Sequence, residues 1–254
     1  MKVLLTLALT SLFLGSAYAQ TTLSQGHADI GIDYTLAEGW NLHVHDEEND
    51  LEFAPDEAIF AVKPEAITTR PAGSAFDFIG VGAGESYYRL PQAQNPDLLF
   101  LGFGAEELDP DGLFEEWDPD GGGPLATGKW LRVDLISTQH TLFDGNAGTG
   151  QFSVWASGDT GPEVNFATMD GIDASDQLFL LAGGHEHRNF GFTQSGTYDV
   201  TFSVSGQLAS THALDTSPTA TYRFLVAAAP EPGALSLSLL ALPGVGLAFR
   251  RRQS

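Results

Sequence analysis

The pattern that most constrains this chain is a strict alternation of apolar and polar side chains. In Thr197–Val204, aromatic and aliphatic residues at even positions alternate with polar residues at odd positions. Successive side chains of a β-strand point to opposite faces, so this period of two predicts a strand with one buried face. No segment of useful length shows the 3.6-residue period of an amphipathic helix.

Eight further runs rich in Val, Ile, Phe, Tyr and Thr lie between turns of Gly, Asp, Pro and Asn. They are Ile30–Thr35, Trp40–His45, Ala58–Val62, Leu98–Phe103, Trp130–Ile136, Gln151–Trp155, Gln177–Leu181 and Thr219–Val226. So many short strands favour an all-β fold, and we predict a single antiparallel β-sandwich of the jelly-roll or immunoglobulin-like type. No linker-like change of composition divides residues 20–229, so we expect one domain there.

Composition excludes several classes of protein. The 254 residues include 33 acidic and 11 basic side chains, for a net charge of −22, and no cysteine. The 43% hydrophobic content is enough for a core, which argues against a disordered chain. Nucleic-acid binding is not expected, because it depends on Lys and Arg neutralising phosphates. Disulfides and cysteine-ligated metals are excluded.

The N-terminus has the form of a secretory signal. Lys2 precedes an apolar run from Val3 to Leu14, and Ala17-Tyr18-Ala19 matches the small-residue cleavage site. We therefore predict a signal peptide over residues 1–19, cleaved before Gln20 by signal peptidase, and export of the protein. A buried N-terminal helix is the alternative.

The C-terminus carries a second signal in three parts, which are a Pro-Glu-Pro motif, an apolar stretch over residues 233–249 and an arginine cluster. The motif and cluster residues are Pro230, Glu231, Pro232, Arg250, Arg251 and Arg252. The stretch is near the lower limit for a membrane-spanning helix, and the arginines would stay cytoplasmic. Residues 230–254 resemble the PEP-CTERM sorting signal of Gram-negative bacteria.

That resemblance implies recognition by an exosortase, removal of the apolar sorting helix, and delivery to the cell surface or extracellular matrix. Contact with the inner membrane through residues 233–249 would then be transient. A permanent single-span anchor is the alternative, and it leaves the body of the protein on the same side of the membrane.

An acidic segment, Glu106–Gly123, interrupts the strand pattern. It contains two Asp-Pro-Asp-Gly units, and clustered carboxylates suit Ca²⁺. The ligand spacing of an EF-hand loop is missing, however. A solvated acidic turn is therefore the favoured interpretation, with a calcium site as the alternative.

Histidines give the sharpest chemical signal. His43 and His45 form one His-x-His pair, His185 and His187 form another, and His27 precedes the first strand. Residues i and i+2 of a strand share a face, so each pair can offer two imidazoles to one ion. We predict that these five histidines bind a transition metal, with Zn²⁺ the best fit.

One alternative accompanies this prediction: the five are polar outer-face residues of two strands, with no ligand. Neighbouring carboxylates are further candidates as ligands or as acceptors that orient the rings, namely Asp29, Asp46, Glu47 and Glu186. His140 and His212 lie in polar turns and are expected at the surface.

Four segments together resemble the choice-of-anchor M domain, a family of surface-anchored proteins. The segments are Gly26–Gly31, Leu42–Glu47, Leu90–Pro96 and Gly184–Tyr198, and Gly148–Trp155 fits the middle of that domain. The resemblance runs in order over most of residues 23–227. It implies an interchangeable surface anchor and a role in ligand capture or relay, and it supplies no catalytic residues.

Three functions follow as hypotheses. The first is a surface protein whose β-domain binds a ligand, a transition metal such as zinc. The second is a structural or adhesive matrix protein that contacts extracellular polysaccharide and has no metal site. The third is a metal-dependent enzyme, which we disfavour because the His-x-His near Glu47 lacks the glycine and glutamate spacing of a cupin metal motif. Serine and cysteine hydrolases are disfavoured because no Gly-x-Ser-x-Gly elbow or cysteine nucleophile is present. We predict that the protein is not an enzyme.

Overall fold

The computed structural model describes residues 20–119, 121, 123 and 125–227. The predicted signal peptide and the predicted sorting segment lie outside these residues. The described part is built of strands, with three short 3-10 helices at Pro64–Ala66, Ser74–Ile79 and Thr168–Asp170. Within that part, no helix has the length and apolar character needed to span a bilayer.

All nine predicted segments are strands, and eight more strands accompany them. In chain order they are β1 (Thr21–Leu23), β2 (Gly26–Thr35), β3 (Gly39–Asp46), β4 (Leu51–Phe53), β5 (Ala58–Val62), β6 (Ile67–Thr69), β7 (Ser86–Leu90), β8 (Leu99–Gly104), β9 (Trp130–Thr141), β10 (Phe152–Gly158), β11 (Gly161–Ala167), β12 (Gln177–Leu181), β13 (His185–His187), β14 (Asn189–Phe192), β15 (Gly196–Leu208), β16 (Ala213–Thr216) and β17 (Ala220–Val226). The all-β prediction is confirmed.

The strands form three sheets. The first has the order β1-β5-β17-β15-β9-β12, with β16 paired to β15, the second has the order β11-β10-β14-β7-β6, and the third has the order β13-β8-β2-β3-β4. Three pairs are parallel, namely β1 with β5, β5 with β17, and β2 with β8. The expectation of purely antiparallel pairing is therefore corrected. Alternation shows which face of a strand is buried, but it carries no information about the direction of the neighbouring strand.

All three sheets contribute to one core. The ring of Phe103 in the third sheet lies 5.7 Å from that of Phe190 in the second and 5.9 Å from that of Phe202 in the first, measured between centroids. Each of these rings is fully buried. A buried phenylalanine contributes roughly 1.5–3 kcal/mol relative to an exposed one, so this contact helps to hold the sheets together.

The alternation along β2 separates the core from a polar face. Ala28, Ile30 and Ile32 are 1–2% exposed and belong to the core. His27 and Asp29 occupy the intervening positions, and therefore point to the opposite face of the third sheet. That opposite face carries the candidate site.

Candidate metal centre

Four strands of the third sheet bring the predicted histidines onto a single face. In the register of the sheet, Asp29 of β2 pairs with His45 of β3 and with Gly102 of β8. Gly102 in turn pairs with His187 of β13. Side chains directly opposite one another on neighbouring strands share a face, so these residues form one row across the sheet.

A second row lies one pleat further along the same face. His185 pairs with Gly104, Gly104 pairs with Gly31, and Gly31 pairs with His43. The two His-x-His pairs therefore occupy the same face of one sheet, with β8 and β2 between them. The predicted orientation of each pair is confirmed.

Gly102 lies in the centre of this face and leaves room for the side chains around it. A Cβ at this position would overlap Asp29 Oδ1 and would lie 2.9 Å from His185 Nε2 and 3.1 Å from His187 Nδ1. A Cβ at Gly31 would overlap the His43 ring in the same way. Glycine within a strand often marks such a close approach, and here it creates the hollow in which the imidazoles converge.

Three imidazoles and one carboxylate form a compact group. His27, Asp29, His185 and His187 each offer a donor atom, and these atoms all lie within 4.8 Å of one another. His185 Nε2 lies 3.0 Å from Asp29 Oδ1 and 3.3 Å from His27 Nε2. The ring centroids of the three histidines are 4.6–5.0 Å apart. We call this group the histidine cluster.

Hydrogen bonds outside the histidine cluster orient its rings. His187 Nδ1 donates to the carbonyl oxygen of Leu101 at 3.0 Å, which leaves Nε2 with the lone pair. His185 Nδ1 lies at an ion-pair distance of 2.9 Å from Glu106 Oε1. Metal-binding histidines usually direct their second nitrogen to a carbonyl or a carboxylate in this way.

The two histidines of β13 have opposite pKa shifts. The hydrogen bond from His185 to Asp29 raises the pKa of His185, and the charge of Glu106 acts in the same direction. Burial lowers the pKa of His187, because a partly dehydrated ring loses stability when it is charged. The lowered pKa favours the neutral, coordinating form of His187, whereas the raised pKa of His185 makes a proton a stronger competitor of a metal ion for that ring.

His43 and His45 do not join the histidine cluster but adjoin it. His43 is 4% exposed, and its Nε2 lies 3.9 Å from Glu107 Oε2. His45 Nδ1 lies 2.9 Å from Glu47 Oε1. Both rings line a recess of about 10 Å³, close to the volume that one water molecule occupies. The other lining residues are Asp29, Gly31, Ile32, Glu47, Gly104, Glu106 and Glu107.

Two of the four candidate carboxylates are used elsewhere. Asp46 Oδ2 accepts a hydrogen bond of 2.7 Å from the Asn49 side chain and closes the turn after β3. Glu186 lies between His185 and His187 on the strand, so it points to the other face, where it pairs with Arg188. Asp29 and Glu47 do face the site.

The expectation of a surface position fails for His140. Its ring is 7% exposed and stacks on Tyr198 with centroids 4.3 Å apart. Its Nδ1 accepts a hydrogen bond of 2.8 Å from the backbone N–H of Gly150. The neighbours of His140 in the sequence are polar, but Tyr198 and the Gly150 segment pack against its ring and cover it. His212, in contrast, is 75% exposed as expected.

Sequence reasoning did not identify Glu106 and Glu107 as site residues. They begin the acidic segment that was interpreted as a solvated turn, and they reach the site because β8 ends at Gly104, next to β2. The Gly-x-Gly at 102 and 104 was the available signal, since glycines inside a strand indicate a close approach.

Comparison with known proteins gives no relative for this chain. No family model, curated protein or solved structure matches it. The six predicted sorting residues, Pro230, Glu231, Pro232, Arg250, Arg251 and Arg252, lie outside the described residues.

Proposed function

We propose that this protein is an exported surface domain that captures a transition metal, with zinc the preferred ion, in the histidine cluster. The observation that carries the proposal is the convergence of three imidazoles and one buried carboxylate within 4.8 Å. These four side chains come from β2 and β13, and His185 follows His27 by 158 residues and Asp29 by 156.

The donor set favours zinc among the common ions. Zinc in proteins is usually tetrahedral, with imidazole nitrogens at about 2.0–2.1 Å and carboxylate oxygens at about 2.0–2.2 Å. Three imidazoles exceed what Ca²⁺ or Mg²⁺ prefers, since those ions select oxygen ligands. Ca²⁺ is therefore a poor fit to the histidine cluster, and a calcium site in the acidic segment stays the less favoured interpretation of that segment.

Binding is favoured over catalysis by the number of donors. Four protein ligands complete a tetrahedral shell, whereas a catalytic zinc site keeps one position open for water or substrate. The adjoining recess has room for about one water molecule and not for an organic substrate. We therefore propose a binding protein and not an enzyme.

The environment of the histidine cluster suits an ion that enters from solvent. The side chains of His27 and His185 are 25% and 19% exposed, so the donors can be reached from outside. Glu47, Glu106 and Glu107 line the adjoining recess. Together with the net charge of −22, they concentrate cations near the site.

The remaining parts of the proposal concern fold type and location. The packing of three sheets on one core supports a sandwich-like arrangement, and we propose that the domain belongs with the choice-of-anchor M proteins that its motifs resemble. We also propose export by the signal peptide and surface delivery by exosortase through the PEP-CTERM-like tail. These proposals are supported by the motifs of residues 1–19 and 230–254.

Zinc titration calorimetry with elemental analysis of the purified protein tests the metal proposal. The wild type is compared with a His27→Ala/His187→Ala double variant and with His212→Ala, an exposed histidine outside the cluster. We expect one tightly bound zinc in the wild type and in His212→Ala, and at least a 100-fold loss in the double variant. Equal zinc binding by all three proteins, or by none, would refute the proposal. Binding by none would direct attention to the adhesive matrix function.

A further inference from the structure

We propose that the recess beside the histidine cluster is a second cation site, rich in oxygen ligands, and that Asp29 is shared by the two sites. The inference rests on the proposed function for the identity of the first site. The domain would then hold two different ions, a transition metal in the histidine cluster and a hard divalent cation beside it.

The donors of the second site are carboxylates from three elements of the chain. Asp29, Glu47 and Glu106 place one oxygen each within 4.8 Å of one another. All three line the recess, together with the rings of His43 and His45. None of the described residues that line it is Lys or Arg, so among the lining side chains only histidine can offset the charge of these carboxylates, and a bound cation would be attracted there.

Asp29 links the recess to the histidine cluster. Its side chain is 1% exposed, and Oδ2 accepts no hydrogen bond from any described residue, although His27 Nε2 lies 3.3 Å away. A buried carboxylate oxygen without a hydrogen bond is costly. The other oxygen, Oδ1, is hydrogen bonded to His185. A carboxylate that belongs to both donor groups can bridge two ions.

His43 supports the same inference. Its side chain is 5% exposed, and its Nδ1 has no hydrogen-bond partner within the part of the chain that the structure describes. The ring lies over Gly31, where any Cβ would displace it, and it lines the recess. The recess therefore contains two buried side chains with unsatisfied polar atoms, Asp29 and His43.

The ligands identify the class of ion. Carboxylate-rich sites suit Mg²⁺, Ca²⁺ and Mn²⁺, whereas imidazole-rich sites suit Zn²⁺ and Cu²⁺. The two neighbouring donor sets thus differ in the ions that they prefer. Manganese is the practical probe, because it accepts carboxylate ligands and its free aqueous ion has a characteristic paramagnetic resonance signal.

The test is a manganese titration of the full chain, purified in mild detergent and loaded with one equivalent of zinc. Electron paramagnetic resonance measures the free Mn²⁺ that remains. We expect one bound Mn²⁺ per chain in the wild type and at least a tenfold weaker affinity in Glu47→Gln. Glu163→Gln, an exposed carboxylate on β11, is the matched control and should bind manganese like the wild type.

Zinc binding by Glu47→Gln separates loss of the second site from loss of the fold. Glu47 contacts His45 and not the rings of the histidine cluster, so Glu47→Gln should lose much more manganese affinity than zinc affinity and should melt at the same temperature as the wild type. Asp29→Asn should lower the affinity for both zinc and manganese, because both sites use Asp29 as a ligand. Free Mn²⁺ throughout the wild-type titration, or equal manganese affinity in Glu47→Gln and wild type, would overturn the second site.

Failure of the two proposals can be told apart. If the protein binds no zinc, the proposed function fails, and the same manganese titration is run on the zinc-free chain. One Mn²⁺ that Glu47→Gln loses would still support the recess as a cation site. Absence of manganese binding there would refute it.

Discussion

Replacing Gly102 with alanine adds a methyl group at the centre of the histidine cluster. The new Cβ would overlap Asp29 Oδ1 and would lie 2.9 Å from His185 Nε2. These positions are too close for the side chains to stay where they are. Asp29 must therefore turn away, and it loses both its 3.0 Å hydrogen bond to His185 and its place among the metal ligands.

The size of the effect follows from the contacts that are lost. Disturbing the partners that orient metal ligands typically costs 10–100-fold in affinity, and a displaced ligand costs at least as much. This loss of affinity corresponds to about 1.4–2.8 kcal/mol in the free energy of zinc binding. Overpacking should destabilise the metal-free fold by roughly 1–3 kcal/mol, so the variant should remain folded with a Tm lower by ~2–4 °C per kcal/mol.

Gly104→Ala provides the matched control for this measurement. Gly104 lies two residues away on the same strand and the same face, but a Cβ there would come no closer than 3.3 Å, to Asp29 Cβ. In calorimetric titrations we expect Gly102→Ala to bind zinc at least tenfold more weakly than wild type, and Gly104→Ala to stay within about threefold. Wild-type affinity in a folded Gly102→Ala variant would refute the placement of the metal over this glycine.

Three other predictions concern pH, metal removal and a buried histidine. Zinc affinity should fall as the pH is lowered, by up to about tenfold per pH unit for each displaced proton, because Asp29 raises the pKa of His185 and the ring must be deprotonated to coordinate. Zinc titrations at several pH values check this, and a pH-independent affinity would contradict it. Removing zinc with a chelator should lower the Tm by about 8–16 °C if free zinc had been at about 1,000 times Kd, because binding at that concentration adds about 4 kcal/mol to the free energy of unfolding. Calorimetric melts check this, and an unchanged Tm would count against a zinc site in the folded state. His140→Ala should destabilise the fold by about 2–4 kcal/mol, because it loses the hydrogen bond from Gly150 and the stacking on Tyr198. Denaturant melts measure that loss, and zinc titrations should show an unchanged affinity.

Local pattern predicted the strands well because alternation is a local property. Thr197–Val204 is contained in β15, and Trp40–His45 in β3. Short strands such as β4 and β6 were missed, since three residues are too few to display a period. Parallel pairing of β2 with β8 was missed as well, because it depends on the path of the long connection between them.

Part of the candidate site could be predicted for the same reason. The period of two places His185 and His187 on one face, and their shared face is confirmed. Which histidines meet depends on strand order, and that is a property of the whole fold. Because β8 and β2 separate β13 from β3, His43 and His45 lie beside the cluster and not within it.

X-ray absorption spectroscopy at the zinc edge, on protein holding one zinc, tests the central claim most directly. The proposed site predicts imidazole scattering from three nitrogens at about 2.0–2.1 Å and one oxygen at about 2.0–2.2 Å. In His27→Ala the imidazole scattering should weaken from three rings to two, and in His212→Ala it should stay unchanged. A shell of oxygen ligands without imidazole, in protein that binds zinc stoichiometrically, would contradict the assignment of the histidine cluster as the metal centre.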